Sequence, residues 1–361
     1  MQPPVTTAIA QPLPISAAGT SWPSVEVVVC TRNRARLLER ACEAILLQDY
    51  PPELWRLLIV DNLSTDDTPA LAESIARRFP GRVRALRNRE VGHSAARNAA
   101  VKETAATVVA FTDDDALPDP SWLRTLVETM AREGAQAGGG PVDIVLSGEL
   151  PPWFLEDYLP YLAIWRPYEQ VTRLVYNEHP RGVNLAVLRG AFEEHGAFSP
   201  HLGLRGRRRL YCEETEMCLR IERGGGRVVY SPLSRVRHCV EASRLTARWL
   251  SHRFLAQGRS EAIVNWMHGG PRGLALGSRV HLANLRSVNP NSLRSRLLGA
   301  IAPADDAELL RAARLLTHCR RRALLGYWLE APRAMATVPR YRPCAASGLG
   351  GWQPPAPPGE S

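Results

Sequence analysis

The sequence predicts an α/β fold: a mostly parallel central sheet flanked by helices, with a helical C-terminal extension. Two observations carry this. Short β-branched runs alternate with stretches of helical periodicity over the first 135 residues, the pattern of strands joined by crossover helices. The runs themselves are apolar on both faces, as strands covered by helices on either side must be.

Val25 to Cys30 is the first run, followed by the polar loop Thr31-Arg-Asn-Arg34 and by Leu37, Leu38, Ala41, Ala44 and Ile45 at helical spacing. Arg56 to Asp61 is a second strand ending in a carboxylate. Asp67-Thr68-Pro69 then opens a helix with a capping residue and a proline in the first turn. A third strand over Arg82–Leu86 leads through Gly92 into the helical Ser94–Ala100. The fourth, from Thr107, ends in Asp113, Asp114 and Asp115, and Asp119-Pro120 starts a helix that stops at Gly134.

Three adjacent carboxylates cannot be buried together without a cationic partner, since each uncompensated charge costs several kcal/mol. On extended backbone Asp113 and Asp115 point to one side and Asp114 to the other. The first two are therefore expected to share one hard cation, Mg²⁺ or Mn²⁺, for which oxygen ligands are suited. Because Thr31, Asp61 and Asp113 all follow parallel strands, they emerge on one rim, where open α/β sheets bind ligands. Gly92-His93-Ser94 brings a helix N-terminus there, with Arg97 one turn in, an arrangement suited to phosphate. Gly-x-Gly-x-x-Gly and P-loop signatures are absent.

Downstream, Gly138–Val145 enters another strand, and Pro151–Trp165 is rich in aromatics, whose irregular spacing favours packing over sugar stacking. Arg181–Val187 reads as a buried strand, and Gly203–Arg209 as a basic loop, either solvated or a phosphate lid. Tyr211–Arg220 opens a helix whose first turn carries Glu213, Glu214 and Glu216. Strands follow at Arg227–Tyr230 and up to His238. Beyond Glu241 the chain turns helical, with Leu309, Ala313, Leu316, Ala323 and Tyr327 forming a stripe that docks on the main body in preference to a membrane surface.

The 361 residues hold one large domain or somewhat more. The formal charge of +9 is almost all scattered arginine, Lys102 being the single lysine, so no nucleic-acid partner is expected. Seven cysteines without a Cys-x-x-Cys pair argue against a disulfide framework or zinc. Residues 1–24, rich in Pro, Ala, Thr and Ser with no basic residue, read as a disordered arm and not a secretory signal. No apolar run spans a bilayer, so a cytoplasmic protein is expected, with peripheral membrane contact not favoured.

Taken together, Val28–Asn33, Ile59–Asp66, Gly92–Asn98, Phe111–Asp115, Gly182–Ala186, Glu213–Met217 and Val236–His238 resemble, in order, the motifs of the family 2 inverting glycosyltransferases of the GT-A fold. The resemblance covers about Val25 to Ser260. It implies a GT-A catalytic domain over 25–240 (nucleotide-binding half 25–135, acceptor half 136–240), a helical extension over 241–341 and a disordered tail over 342–361. It also implies transfer of a hexose from a nucleoside diphosphate sugar, with a uridine sugar the expected donor, to a hydroxyl acceptor on a small molecule or glycan. Thr31, Arg32, Asp61, Arg97, Asp114 and Arg244 would hold the donor, with Arg259 a further basic position. Asp113, Asp115 and His238 would hold Mn²⁺ or Mg²⁺. Glu214 falls on the catalytic base and Glu213 supports it, where the family has Glu-Asp in place of Glu-Glu. Two other readings are a sugar-1-phosphate nucleotidyltransferase, disfavoured because Thr31–Arg34 lacks the glycine-rich loop, and a non-catalytic sugar-nucleotide-binding protein.

Overall fold

The computed structural model describes residues 22–176, 178–206, 208–288, 297 and 306–341. In chain order these form β1 (Val25–Thr31), α1 (Ala35–Leu46), β2 (Trp55–Asp61), α2 (Thr68–Arg78), β3 (Val83–Arg87), α3 (His93–Glu103) and β4 (Val108–Asp113). There follow β5 (Ala116–Pro118), α4 (Trp122–Arg132), β6 (Ala137–Gly139), β7 (Val142–Leu146), β8 (Thr172–Leu174), β9 (Leu185–Leu188) and α5 (Arg189–His195). The chain ends with the hairpin β10 (Leu204–Arg205) and β11 (Arg208–Arg209), then α6 (Glu213–Arg223), β12 (Val228–Tyr230), β13 (Val236–Val240), α7 (Ala247–Arg286) and α8 (Asp306–Thr337).

The main sheet runs β3-β2-β1-β4-β9-β6-β12-β8. Its first four strands are parallel, as the alternating pattern requires, and β1 buries Val27, Val28 and Val29 on both faces. The expected strand at Arg181–Val187 is shorter, because Arg181 to Asn184 form a turn and only β9 is extended. It also runs antiparallel to β4 and β6, so the sheet is mixed in its second half. A second sheet, β5-β13-β7, carries His238 beside the end of β4.

Some local expectations change. Asp67 holds the cap position of α2, but the bond to the Thr68 N–H comes from Asp66. Of the 1–24 arm, Trp22 to Ser24 are ordered against the body, with the Trp22 ring edge-on to Tyr50 and Ser24 bonded to Thr107. The rest of that arm and the 342–361 tail lie outside the described residues. The six described cysteines are free thiols.

The C-terminal helices close a second core. Phe154, with Tyr158 and Leu162 of the 3-10 turn Glu156–Leu162, packs against Leu250 and Phe254 of α7 and Leu309, Ala313, Leu316 and Ala323 of α8. Packing is thus the role of most of the aromatic segment, and the predicted stripe is buried as expected. α7 kinks at Gly270, where φ is 55°, just before Pro271. Among the described residues no helix is long and apolar enough to cross a membrane.

Candidate functional site

The C-terminal ends of β1, β2 and β4 open onto a cleft of about 1000 Å³. Arg259 aside, ten of the eleven residues singled out from the sequence lie on its wall: Thr31, Arg32, Arg97, Asp113, Asp114, Asp115, Glu213, Glu214, His238 and Arg244. The exception is Asp61, which lies just behind, with Asn62 on the wall. Asp61 is buried, and its Oδ1 accepts the Ser64 N–H at 3.1 Å. Its Oδ2 has no hydrogen-bond donor among the described residues, Arg87 Nε lying 3.8 Å away.

The three aspartates divide differently from the expectation. β4 ends at Asp113, and Asp114 and Asp115 form a turn before β5, so strand alternation stops applying at the point where it was used. Asp114 and Asp115 therefore turn toward each other and share Arg34, whose Nη1 lies 2.9 Å from Asp114 Oδ1 and 2.8 Å from Asp115 Oδ2. Thr31 Oγ1 donates to Asp114 Oδ2 at 2.7 Å. Asp113 faces the other way, 3.6 Å from Arg97. Burial, opposed by Arg34 and assisted by the charge of Asp115, lifts the Asp114 carboxyl to about 6. Burial would lift Asp115 too, but His238, Arg244 and Arg34 outweigh it and hold its carboxyl far below the usual range.

Three metal ligands were expected in one cluster. Among the described residues no three acidic, imidazole or thiol groups gather about a point. Asp113 stands apart, whereas Asp115 Oδ1 and His238 Nε2 are 3.2 Å apart. His238 Nδ1 donates to the Leu162 carbonyl at 2.8 Å, which turns Nε2 toward Asp115 and Arg244. That oxygen and nitrogen pair fits a hard cation whose remaining positions are filled by phosphate and water.

Arg97 is not the open phosphate clamp its helix position suggested. It is 2% exposed, and its guanidinium donates to the Gly182 carbonyl at 3.0 Å and to Glu213 at 3.4 Å. It ties α3, the turn before β9 and α6 together. Gly92, at φ 145°, supplies the turn into α3 that puts His93 beside Glu213, 2.8 Å from Nδ1 to Oε1. Burial works against the Glu213 anion, yet the His93 bond and Arg97 hold its carboxyl near 2. Glu214, the next residue, has no side-chain hydrogen-bond or ion-pair partner among the described residues, only its own backbone N–H, and burial together with the Glu213 charge raises its carboxyl.

Arg244 donates to Asp115 at 2.8 Å, inside the cleft. Arg259 does not face it; it binds Glu330 of α8 at 2.8 Å. The basic loop is a hairpin, with Leu204 and Arg209 on the cleft wall and Arg208 paired with the buried Glu330. Sequence reasoning missed Arg34, although its place directly after β1 put it on the rim. It also missed Arg181 and Arg253, which line the cleft from a turn and from α7 and which no local pattern marks.

Residues 26–196 match the model of the family described as Glycosyl transferase family 2. The glucosyl-dolichyl phosphate glucuronosyltransferase of Haloferax volcanii is 28% identical over 68% of this chain and 78% of its own length. The mannosyltransferase PcManGT of Pyrobaculum calidifontis, solved with GDP-Man and Mn²⁺, superposes with a TM-score of 0.53 at 20% identity, over 87% of this chain and 88% of that one. GalNAc-T7, solved with UDP, GalNAc and Mn²⁺, gives 0.54 at 17% identity, over 81% and 54%. These two likenesses establish the GT-A fold.

Proposed function

Since the chain belongs to glycosyl transferase family 2 and is a glycosyltransferase, we propose that it transfers a hexose with inversion from a uridine-type nucleoside diphosphate sugar to a hydroxyl acceptor. Glu214 is the base. The observation that carries this reading is the contrast at the start of α6: Glu213 is pinned by His93 and Arg97, while Glu214 is unpaired on the cleft wall with its proton affinity raised. A carboxylate that must take a hydroxyl proton needs this freedom and this basicity.

Arg97 and His93 do not touch the reacting atoms in this scheme. They neutralise Glu213 and so fix the first turn of α6, from which Glu214 projects. The unsatisfied Asp61 Oδ2 and the neighbouring Asn62 suit the N–H and hydroxyl groups of a nucleoside. Asp115 and His238 would hold Mn²⁺ or Mg²⁺, which neutralises charge developing on the departing diphosphate. Arg32 and Arg244 add positive charge along the same wall. Attack on the face opposite the leaving group inverts the anomeric centre without a covalent intermediate.

Screening nucleotide sugars for Mn²⁺-dependent release of nucleoside diphosphate tests the reading. A uridine sugar is expected to be turned over. Release of pyrophosphate, or no turnover with any donor, would overturn it.

A further inference from the structure

The cleft does not end at Glu214. Asp157, Tyr161, Tyr176 and Glu261 belong to its wall and also to the wall of a second cavity, of about 360 Å³, between α7, α8 and the 3-10 turn. Small-molecule sites start at about 300 Å³. Hydrogen bonds link the two compartments. Gln257 Nε2 donates to Cys212 Sγ at 3.3 Å and to Glu261 Oε1 at 2.9 Å, and Glu261 Oε2 meets His281 Nε2 at 2.8 Å. Cys212 immediately precedes Glu213 and Glu214, so this line begins beside the base and ends in the chamber.

The chamber's chemistry narrows its occupant. Leu276, Val280 and Leu316 supply aliphatic wall, and Phe254 lies stacked on Tyr161 with centroids 3.7 Å apart. Against them stands the Glu261 carboxylate, with the Asn265 amide nearby. Burial opposes the Glu261 anion, but His281 and Gln257 outweigh it and keep the group ionised. A wholly apolar occupant would strip water from that carboxylate without replacing its hydrogen bonds. An anionic occupant would meet it as a like charge, and Arg320 is engaged by Asp157 at 3.2 Å and Ser287 at 2.8 Å. A ring bearing hydroxyls satisfies both walls: its O–H groups donate to Glu261 and Asn265, and its C–H face lies on the aromatic and aliphatic side.

We propose that this chamber is an acceptor subsite that holds a second, non-reacting polyhydroxylated ring, so that the acceptor is a disaccharide or glycoside and not a free monosaccharide. This rests on the transferase reading of the adjoining cleft. The test is saturation-transfer NMR on the full chain, with UDP and Mn²⁺ present, using cellobiose, maltose, trehalose and glucose as probes. At least one disaccharide is expected to bind tenfold or more tightly than glucose. Val280→Trp, which fills the chamber, should erase that advantage, and Glu261→Gln should reduce it in the same direction if the larger residue prevents folding. No disaccharide outbinding glucose, or an advantage that survives both substitutions, overturns the subsite. Calorimetry of UDP with Mn²⁺ is run alongside: wild type and variants should bind equally, and failure of the wild type to bind counts against the transferase reading instead.

Discussion

Glu213 and Glu214 differ by one position on a helix, and that rotation alone separates their chemistry. One points into His93 and Arg97; the other meets no side-chain partner and feels its neighbour's charge. Glu214→Gln should lower kcat by about 10²- to 10⁴-fold while leaving nucleoside diphosphate affinity unchanged, read by steady-state kinetics beside calorimetry. Because the proposed base would work only when ionised, and its proton affinity is raised, kcat/KM should fall as pH drops through a value above the ordinary carboxylate range. Glu213→Gln should move that acid limb downward, since it removes the charge that raises Glu214. Glu213 itself acts on stability in the opposite sense: its depressed carboxyl contributes above the unfolded value, and the contribution is lost as pH falls toward about 2. Both glutamates could be found from their place in a helix's first turn. Which of them is free could not, because His93 and Arg97 come from 116 or more residues away.

The end of β4 shows what an element boundary changes. Had the strand continued through Asp115, the outer aspartates would have shared a side; a turn beginning at Asp114 pairs the last two instead and hands them to Arg34. Arg34→Met leaves Asp114 with only the Thr31 hydroxyl and Asp115 with His238 and Arg244, and should lower the melting temperature by several degrees, with a steeper loss above pH 7 than at pH 5 as Asp114 ionises near 6. The C-terminal helices depend on a different kind of contact. A Cβ on Gly258 would lie 1.9 Å from the Ala323 carbonyl oxygen, backbone that cannot swing aside. Gly258→Ala should therefore destabilise the chain by about 1–3 kcal/mol or more, measured by urea unfolding. The locations of β1 to β4 and of α1 to α4 were legible, because each of these elements has its own period. The antiparallel direction of β9 was not, because direction is set by the partner strand and not by composition.

At the scale of the whole molecule, the cleft is assembled from loops after three parallel strands, the start of α6, the second sheet and α7. Asp115 and His238 would hold a divalent cation that offsets charge on the donor's diphosphate, so EDTA should abolish turnover and Mn²⁺ restore it. Asp115→Ala should weaken Mn²⁺-dependent UDP binding, seen by calorimetry. Turnover indifferent to chelator would remove the cation from the scheme. By itself the sequence determined the α/β alternation, the rim on which the carboxylates emerge and the resemblance that orders the motifs, because these follow from local periodicity and from strand ends. Tertiary structure alone decided which carboxylates are paired, that Arg97 is a buried tie and that α7 and α8 wall a second chamber, because each depends on groups far apart in the chain meeting through packing that no local pattern encodes.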